Sequence, residues 1–203
     1  MNIFIILTVI FIILILYFTI VKFKKTKYLN LTIFCSSKDV SNKYKDVIKN
    51  LITRIDTQKY CIVYGGNNGG LMNTVSESWK GNIISVNFKN FKIKNDDYVY
   101  NHIFDRQRKL IELGDIYLIL PGGLGTLSEL MDVILLNEVS TDNNKKDILI
   151  FNYNGIYDLL LKHFDEMKNK KFIDNDYLDK FRIKIFDNVK DIIRYLEMFK
   201  KNE

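Results

Sequence analysis

From residue 31 onward, the chain alternates short apolar runs with segments whose apolar residues recur at helical spacing. Residues 31–35 (LTIFC) predict a strand, and residues 44–55 carry apolar side chains along one face of a helix. Further strands are predicted at residues 61–64, 83–88, 116–120, 148–151 and 183–186, and further helices at about 71–79, 98–113, 127–136, 156–167 and 189–199. Because several strands are apolar on both faces, we expect an α/β domain with a doubly wound, Rossmann-like, mostly parallel sheet covered by helices on both faces.

The amino-terminal segment differs from the rest of the chain because it is a long, uncharged apolar run. Residues 3–21 contain no charged side chain, and as a helix they would be about 28 Å long, close to the thickness of a hydrocarbon core. A cleaved signal peptide is the alternative, but no basic residue precedes the run and no small-residue cleavage site follows it. We therefore predict one transmembrane anchor (residues 1–21), a basic juxtamembrane linker (22–30) and a Rossmann-like domain (31–203).

Charge supports the same division. The net charge of +6 comes from 30 basic and 24 acidic side chains, and four of the lysines lie between residues 22 and 27. The positive-inside rule places such lysines in the cytoplasm, so we expect a single-pass membrane protein whose domain faces the cytoplasm. The rest of the chain, with 26 basic against 24 acidic side chains, is too nearly neutral to predict a nucleic-acid partner.

A glycine-rich loop follows the second predicted strand. Four glycines and two asparagines fill residues 65–70, immediately before a predicted helix. Glycines let the backbone approach a ligand, and the unpaired N–H groups at a helix start attract anions. The loop lacks the Gly-Lys-Ser/Thr of a phosphate-binding Walker loop, and a tight strand-to-helix turn would explain it equally well.

A second such loop follows the most apolar strand. Residues 121–129 read Pro-Gly-Gly-Leu-Gly-Thr-Leu-Ser-Glu, so three glycines and the Thr126 hydroxyl are available to a phosphate at a helix start. Glu129 has two interpretations at this point. It is a candidate catalytic carboxylate, or it forms a capping box with Thr126, because Thr-x-x-Glu is the sequence of that motif.

Arg106 interrupts an apolar stripe in the preceding predicted helix. Ile103, Leu110 and Leu113 flank it at helical spacing, so its guanidinium should point inward. An inward guanidinium is seldom unpaired and suits carboxylates and phosphates. Two interpretations stay open: Arg106 forms a structural ion pair, or it acts beside the glycine loops and Glu129.

These residues resemble the Lonely Guy family of cytokinin riboside 5′-monophosphate phosphoribohydrolases, formerly labelled possible lysine decarboxylases. Residues 121–129 match the family's PGGxGTxxE motif, and residues 63–72 resemble its VYGGGxxGLMG motif. The resemblance implies hydrolysis of the N-glycosidic bond of a nucleoside 5′-monophosphate, with Arg106 and Glu129 as the catalytic pair. It implies substrate and phosphate contacts at a further set of positions: Gly66, Gly70, Gln107, Gly122, Gly123, Gly125 and Thr126.

The resemblance also implies two partners: a nucleotide substrate, such as a cytokinin riboside monophosphate or AMP, and a second copy of the chain in a homodimer. No cofactor or metal is expected, since the chain has only two histidines and two cysteines. The chain departs from the family's MHxRK motif at Ile103, Phe104 and Gln107 and from its glycine loop at Asn67. A non-catalytic, membrane-tethered nucleotide-binding module of the same fold is therefore the alternative.

Overall fold

A computed structural model describes residues 28–91 and 96–200 of the chain. The strands are β1 (Leu29–Phe34), β2 (Tyr60–Tyr64), β3 (Ile83–Phe88), β4 (Tyr98–Tyr100), β5 (Ile116–Ile119), β6 (Ile148–Phe151) and β7 (Ile183–Phe186). The α-helices are α1 (Asn42–Ile52), α2 (Gly70–Ser78), α3 (Ile103–Leu113), α4 (Leu124–Val139), α5 (Asp158–Asn169), α6 (Tyr177–Lys180) and α7 (Val189–Met198).

All seven strands pair in parallel, in the order β4-β3-β2-β1-β5-β6-β7. Side chains alternate across β1, so that Leu31 and Ile33 belong to one hydrophobic core and Phe34 to another. The first core contains the apolar faces of α1, α2 and α7, and the second those of α3, α4 and α5. The predicted doubly wound parallel sheet with helices on both faces is confirmed.

The strand order reverses between β1 and β5. Because the chain leaves these two neighbouring strands toward opposite sides of the sheet, a crevice forms between the loops that follow them. The register pairs Phe34 at the end of β1 with Ile119 at the end of β5. The loop that begins at Cys35 and the loop that begins at Leu120 therefore leave the sheet side by side. Ligands of open α/β sheets bind at such a reversal of the strand order.

Two predicted helix starts were wrong, and one helix was missed. The helix expected from about Tyr98 begins only at Ile103, because Tyr98–Tyr100 pairs with β3 as an edge strand, as its β-favouring residues allow. The helix expected at residues 127–136 begins three residues earlier, at Leu124. The short helix α6 was not predicted from the sequence.

The localisation prediction is corrected. None of the helices at residues 28–91 and 96–200 is long and apolar enough to cross a membrane. The longest of them, α4, has 16 residues, whereas a span needs about 20. Neither a single-pass membrane protein nor a cytoplasm-facing domain is retained. The anchor predicted at residues 1–21 and most of the linker at 22–30 lie outside the described residues.

Candidate active site

A buried ion pair joins α3 to α4. Arg106 Nη1 lies 3.4 Å from Glu129 Oε1, and the two residues are only 8% and 6% exposed. The guanidinium also donates from Nε to the Val86 carbonyl (2.9 Å) and from Nη2 to the Gly65 carbonyl (3.0 Å). The structure thus brings together the two residues that the sequence motifs predict as the catalytic pair.

The first glycine of the 65–70 loop makes room for this arginine. A Cβ atom at Gly65 would lie 2.1 Å from Arg106 Nη2, far inside van der Waals contact, and 3.0 Å from the Met72 methyl. Only glycine therefore lets the guanidinium lie against the backbone and bond to the carbonyl of residue 65.

Glu129 does not cap its own helix. The N-cap of α4 is Gly123 and no side chain caps it, so Thr126 lies inside the first turn. The Glu129 carboxylate instead accepts from Arg106. The capping-box interpretation of residues 126–129 is wrong, because the helix begins earlier than that motif needs.

The pKa of Glu129 is raised from 4.5 to about 7. Burial is the main cause, because removing a carboxylate from water penalises its charged form. Arg106 opposes this shift by its charge and its hydrogen bond, and the charge of Asp132 adds to it. Near neutral pH, Glu129 can accordingly exist with or without its proton, as a general acid–base group requires.

The start of α4 leaves open space beside this pair. A Cβ atom at Gly123 or at Gly125 would meet nothing within 4 Å. By contrast, a Cβ atom at Gly122 would lie 2.1 Å from Thr126 Oγ1, so Gly122 accommodates the threonine side chain. Gly123 and Gly125 are not needed for packing, and their free space adjoins the N–H groups at a helix start, where an anion is stabilised.

The start of α2 is arranged differently. Its Leu71 and Met72 N–H groups both donate to the Ser36 carbonyl, at 2.9 and 3.2 Å. Cβ atoms at Gly69 and Gly70 would lie 2.5 and 2.1 Å from the carbonyl oxygens of Ser37 and Lys38. The first glycine loop therefore supports the loop after β1, and the N–H groups of its helix already have a protein acceptor.

These elements enclose a cleft of about 450 Å³ at the carboxyl ends of the strands. Of the predicted site residues, Arg106, Glu129, Gly123, Gly125 and Thr126 line it. The other lining residues come from the loops after β1 and β2, from the end of β3 and from the starts of α2, α3 and α4: Cys35, Ser36, Ser37, Lys38, Gly65, Asn67, Met72, Asn87, Phe88, Ile103 and Leu124.

The remaining predicted site residues do not line the cleft. Gly66, Gly70 and Gly122 belong to the two glycine loops but are not among the residues that line the cleft. Gln107 points to α4, where its Nε2 donates to Ser128 Oγ (3.1 Å) and to the Asp132 carboxylate. A substrate contact at each of these four positions stays a prediction.

Sequence reasoning did not select Lys38 or Asn87 as site residues. Lys38 lies in the loop after β1 and Asn87 lies near the carboxyl end of β3, and both line the cleft. Their place at the carboxyl ends of parallel strands, at the same edge of the sheet, is the signal that could have found them.

A second cleft, of about 520 Å³, lies at the other end of the strands, where β5, β6 and β7 begin, and it is a weaker candidate for a catalytic site. Its Arg182 lies 3.8 Å from Asp147 and donates to the Lys145 carbonyl, so this guanidinium is already engaged with the protein. Within residues 28–91 and 96–200, no cluster of three histidine, cysteine or acidic side chains could hold a metal ion.

Sequence comparison matches residues 61–196 to the family model described as possible lysine decarboxylase. A cytokinin riboside 5′-monophosphate phosphoribohydrolase of Arabidopsis thaliana is 26% identical over 190 residues, covering 87% of this chain and 80% of that protein. A rice enzyme of the same name (Oryza sativa subsp. japonica) is 26% identical over 164 residues, covering 75% of this chain and 67% of that protein.

Solved structures share the fold. A molybdenum cofactor binding protein from Rippkaea orientalis superposes with a TM-score of 0.60 at 15% identity, over 85% of this chain and 98% of that one. A molybdenum cofactor carrier protein from Chlamydomonas reinhardtii gives the same TM-score and identity, over 84% of this chain and 96% of that one. At this identity, the likeness concerns the fold alone.

Proposed function

We propose that this chain, which belongs to the family described as possible lysine decarboxylase, is a nucleoside 5′-monophosphate phosphoribohydrolase. The reaction would break the N-glycosidic bond with water and give a free base and ribose 5-phosphate. Relatives named as phosphoribohydrolases of cytokinin riboside 5′-monophosphate support hydrolysis as the reaction class. The preferred base, in a cytokinin riboside monophosphate or in AMP, is part of this proposal.

The observation that carries the proposal is the buried Arg106–Glu129 pair beside an open helix start. The pair supplies a carboxylate whose pKa is about 7, and the space at Gly123 and Gly125 can admit a phosphate. A nucleoside monophosphate carries its phosphate and its N-glycosidic bond on one ribose. One cleft can therefore hold the phosphate at α4 and present the glycosidic carbon to Glu129.

Glu129 would act on the ribosyl carbon. As the C1′–N bond breaks, its electron pair leaves with the base and positive charge develops on the ribose, as in other glycoside hydrolyses. The Glu129 carboxylate stabilises that charge and accepts a proton from the attacking water. The departing base nitrogen takes up one proton, which balances the proton that the water loses, so the products are the neutral base and ribose 5-phosphate.

Arg106 would position the carboxylate. Its guanidinium is fixed by two backbone carbonyls as well as by Glu129, so it holds the acid in one orientation. Fixed geometry of this kind contributes to the rate because the reacting groups need not be ordered during the reaction.

Incubation of the purified protein with AMP and with isopentenyladenosine monophosphate tests the function. We expect release of free base together with ribose 5-phosphate, detected by liquid chromatography. Glu129→Gln, which keeps the size of the side chain, should lose most of this activity. The absence of base release from every nucleoside monophosphate, by a folded protein, would refute the proposal.

A non-catalytic nucleotide-binding module is the second candidate. The observation in its favour is the set of departures from the family motif at Ile103, Phe104 and Gln107, which flank Arg106 on α3. For this candidate, calorimetry would detect AMP binding at wild-type strength in both the native protein and Glu129→Gln, with no product from either.

We also propose that the chain forms a homodimer through an apolar surface on α3 and α4. Phe104 and Val139 are 78% and 82% exposed, and Leu135 is more than half exposed. With Leu136 they line a groove of about 780 Å³ between the two helices. Exposed apolar patches of this kind are typical of protein interfaces. A second copy is the chosen partner because the resemblance to the family implies a homodimer, and the groove also adjoins Gln107 on α3.

Light scattering on the purified protein tests the dimer. The native chain should have twice the monomer mass, and Val139→Asp, which puts a charge into the apolar surface, should shift it toward the monomer. A monomeric native chain at micromolar concentration would refute the proposal.

A further inference from the structure

The charges that line the cleft are few. Among its described lining residues only Lys38, Arg106 and Glu129 are charged. A nucleoside monophosphate brings about −1.5 to −2 charges on its phosphate at neutral pH. Arg106 is bonded to Glu129 and to the Val86 and Gly65 carbonyls, so its charge is balanced largely by the protein itself.

Lys38 is placed differently. It is exposed at the cleft, and no carboxylate of residues 28–91 and 96–200 forms an ion pair with it, whereas its neighbour Asp39 pairs with Lys45. It is thus the one lysine among the described lining residues with a charge available to a ligand.

The backbone that carries Lys38 is held firmly. The Lys38 N–H donates to Ser36 Oγ (3.0 Å), and the Ser36 N–H donates to the Pro121 carbonyl (3.2 Å), at the beginning of the α4 loop. On its other side, the Ser36 carbonyl accepts from the start of α2, and Gly70 leaves just enough space for the Lys38 carbonyl. Both glycine loops therefore help to fix Lys38 beside the open start of α4.

Resting on the proposed function, we propose that Lys38 binds the 5′-phosphate of the nucleotide from the β1 side of the cleft. The α4 N–H groups at Gly123 and Gly125 would meet the same phosphate from the β5 side. A flexible ammonium group on a fixed backbone suits this task, since it can reach any of the phosphate oxygens. This assignment gives the first glycine loop a supporting role, which is to hold the backbone of the cation in place.

Lys38→Ala in the full chain tests the assignment. We expect the KM for AMP to rise about tenfold while kcat changes by less than about twofold, because a charge-assisted contact to the phosphate is lost without a change at the glycosidic bond. Lys38→Arg should recover most of the affinity. Lys49→Ala is the matched control, since it removes an equal charge from the exposed face of α1 and should leave the KM unchanged.

Two further measurements separate this inference from the proposed function. Calorimetric titration with AMP and with ribose 5-phosphate reports binding without turnover, and Lys38→Ala should weaken both by a similar factor. Adenosine lacks the phosphate, so any adenosine binding should be the same in the native protein and in Lys38→Ala. Lys38-dependent binding without hydrolysis would refute only the proposed reaction. Hydrolysis of AMP with an unchanged KM in Lys38→Ala would refute only the role of Lys38.

Discussion

Replacing Gly65 by alanine should inactivate the site through Arg106. The added Cβ would lie 2.1 Å from Arg106 Nη2, a separation that real contacts do not allow, so the guanidinium must move by about 1 Å or more. The backbone of Gly65 does not have a positive φ, so alanine is compatible with its conformation. The effect should therefore arise from the displaced arginine and not from backbone strain.

The size of the effect follows from the contacts that are lost. The displaced guanidinium loses the 3.0 Å bond to the Gly65 carbonyl and its 3.4 Å contact with Glu129. Hydrogen bonds that involve a charged group contribute about 1.5–3 kcal/mol each, so the loss of both contacts should lower the free energy of unfolding by about 3–6 kcal/mol. A misplacement of about 1 Å at a catalytic group costs roughly 100-fold in rate, and we expect a loss of kcat of that order.

The assay combines base release from AMP with thermal unfolding, at a temperature where Gly65→Ala remains folded. Gly125→Ala is the matched control for stability, because its Cβ would meet nothing within 4 Å and alanine is favoured over glycine inside a helix, so its unfolding temperature should not fall. In an Arg106→Ala background, Gly65→Ala should cause little further loss of rate, since both changes act on one group. Wild-type kcat in folded Gly65→Ala, or a full additional loss in the double variant, would refute the reasoning.

Three further predictions concern Glu129 and Gln107. Because the working form of Glu129 is the carboxylate and its pKa is about 7, kcat/KM should rise with pH through about 7; a profile flat from pH 5 to 9 would contradict this. Folding raises the pKa of the Glu129 carboxyl from 4.5 to about 7. The free energy of unfolding should therefore fall by about 3 kcal/mol as the pH rises between these values. Chemical denaturation at pH 4.5 and 8 should show this loss in the native chain but not in Glu129→Gln. Gln107→Ala frees α3 from Ser128 and Asp132 and should lower kcat several-fold with little change in KM, whereas a large rise in KM alone would indicate that Gln107 contacts the substrate.

Much of the architecture could be predicted because local pattern and global fold agree. The apolar runs at residues 83–88 and 148–151 became β3 and β6 without a shift of boundary. Arg106 was predicted to point inward because it interrupts an apolar stripe, and in the fold it is buried against Glu129. Periodicity identifies such positions because a helix face keeps its orientation over several turns.

The errors arise where long-range contacts decide the structure. Residues 98–100 match the spacing of the following helix, and only pairing with β3 makes them a strand. The glycines at 123 and 125 weaken the local helix signal, so the true start of α4 at Leu124 was missed. The supporting role of the first glycine loop depends on the Ser36 carbonyl, which is far away in the sequence, so no local pattern could have separated the two loops.

The most direct test of phosphoribohydrolase activity is product analysis with the native chain and Glu129→Gln under the same conditions. AMP, at pH 8 where Glu129 is ionised, should yield adenine and ribose 5-phosphate in equal amounts with the native chain. Glu129→Gln should still bind AMP but form product at least about 100-fold more slowly. Equal rates of product formation by the two proteins, or no product from a native chain that binds AMP, would contradict a catalytic role for Glu129.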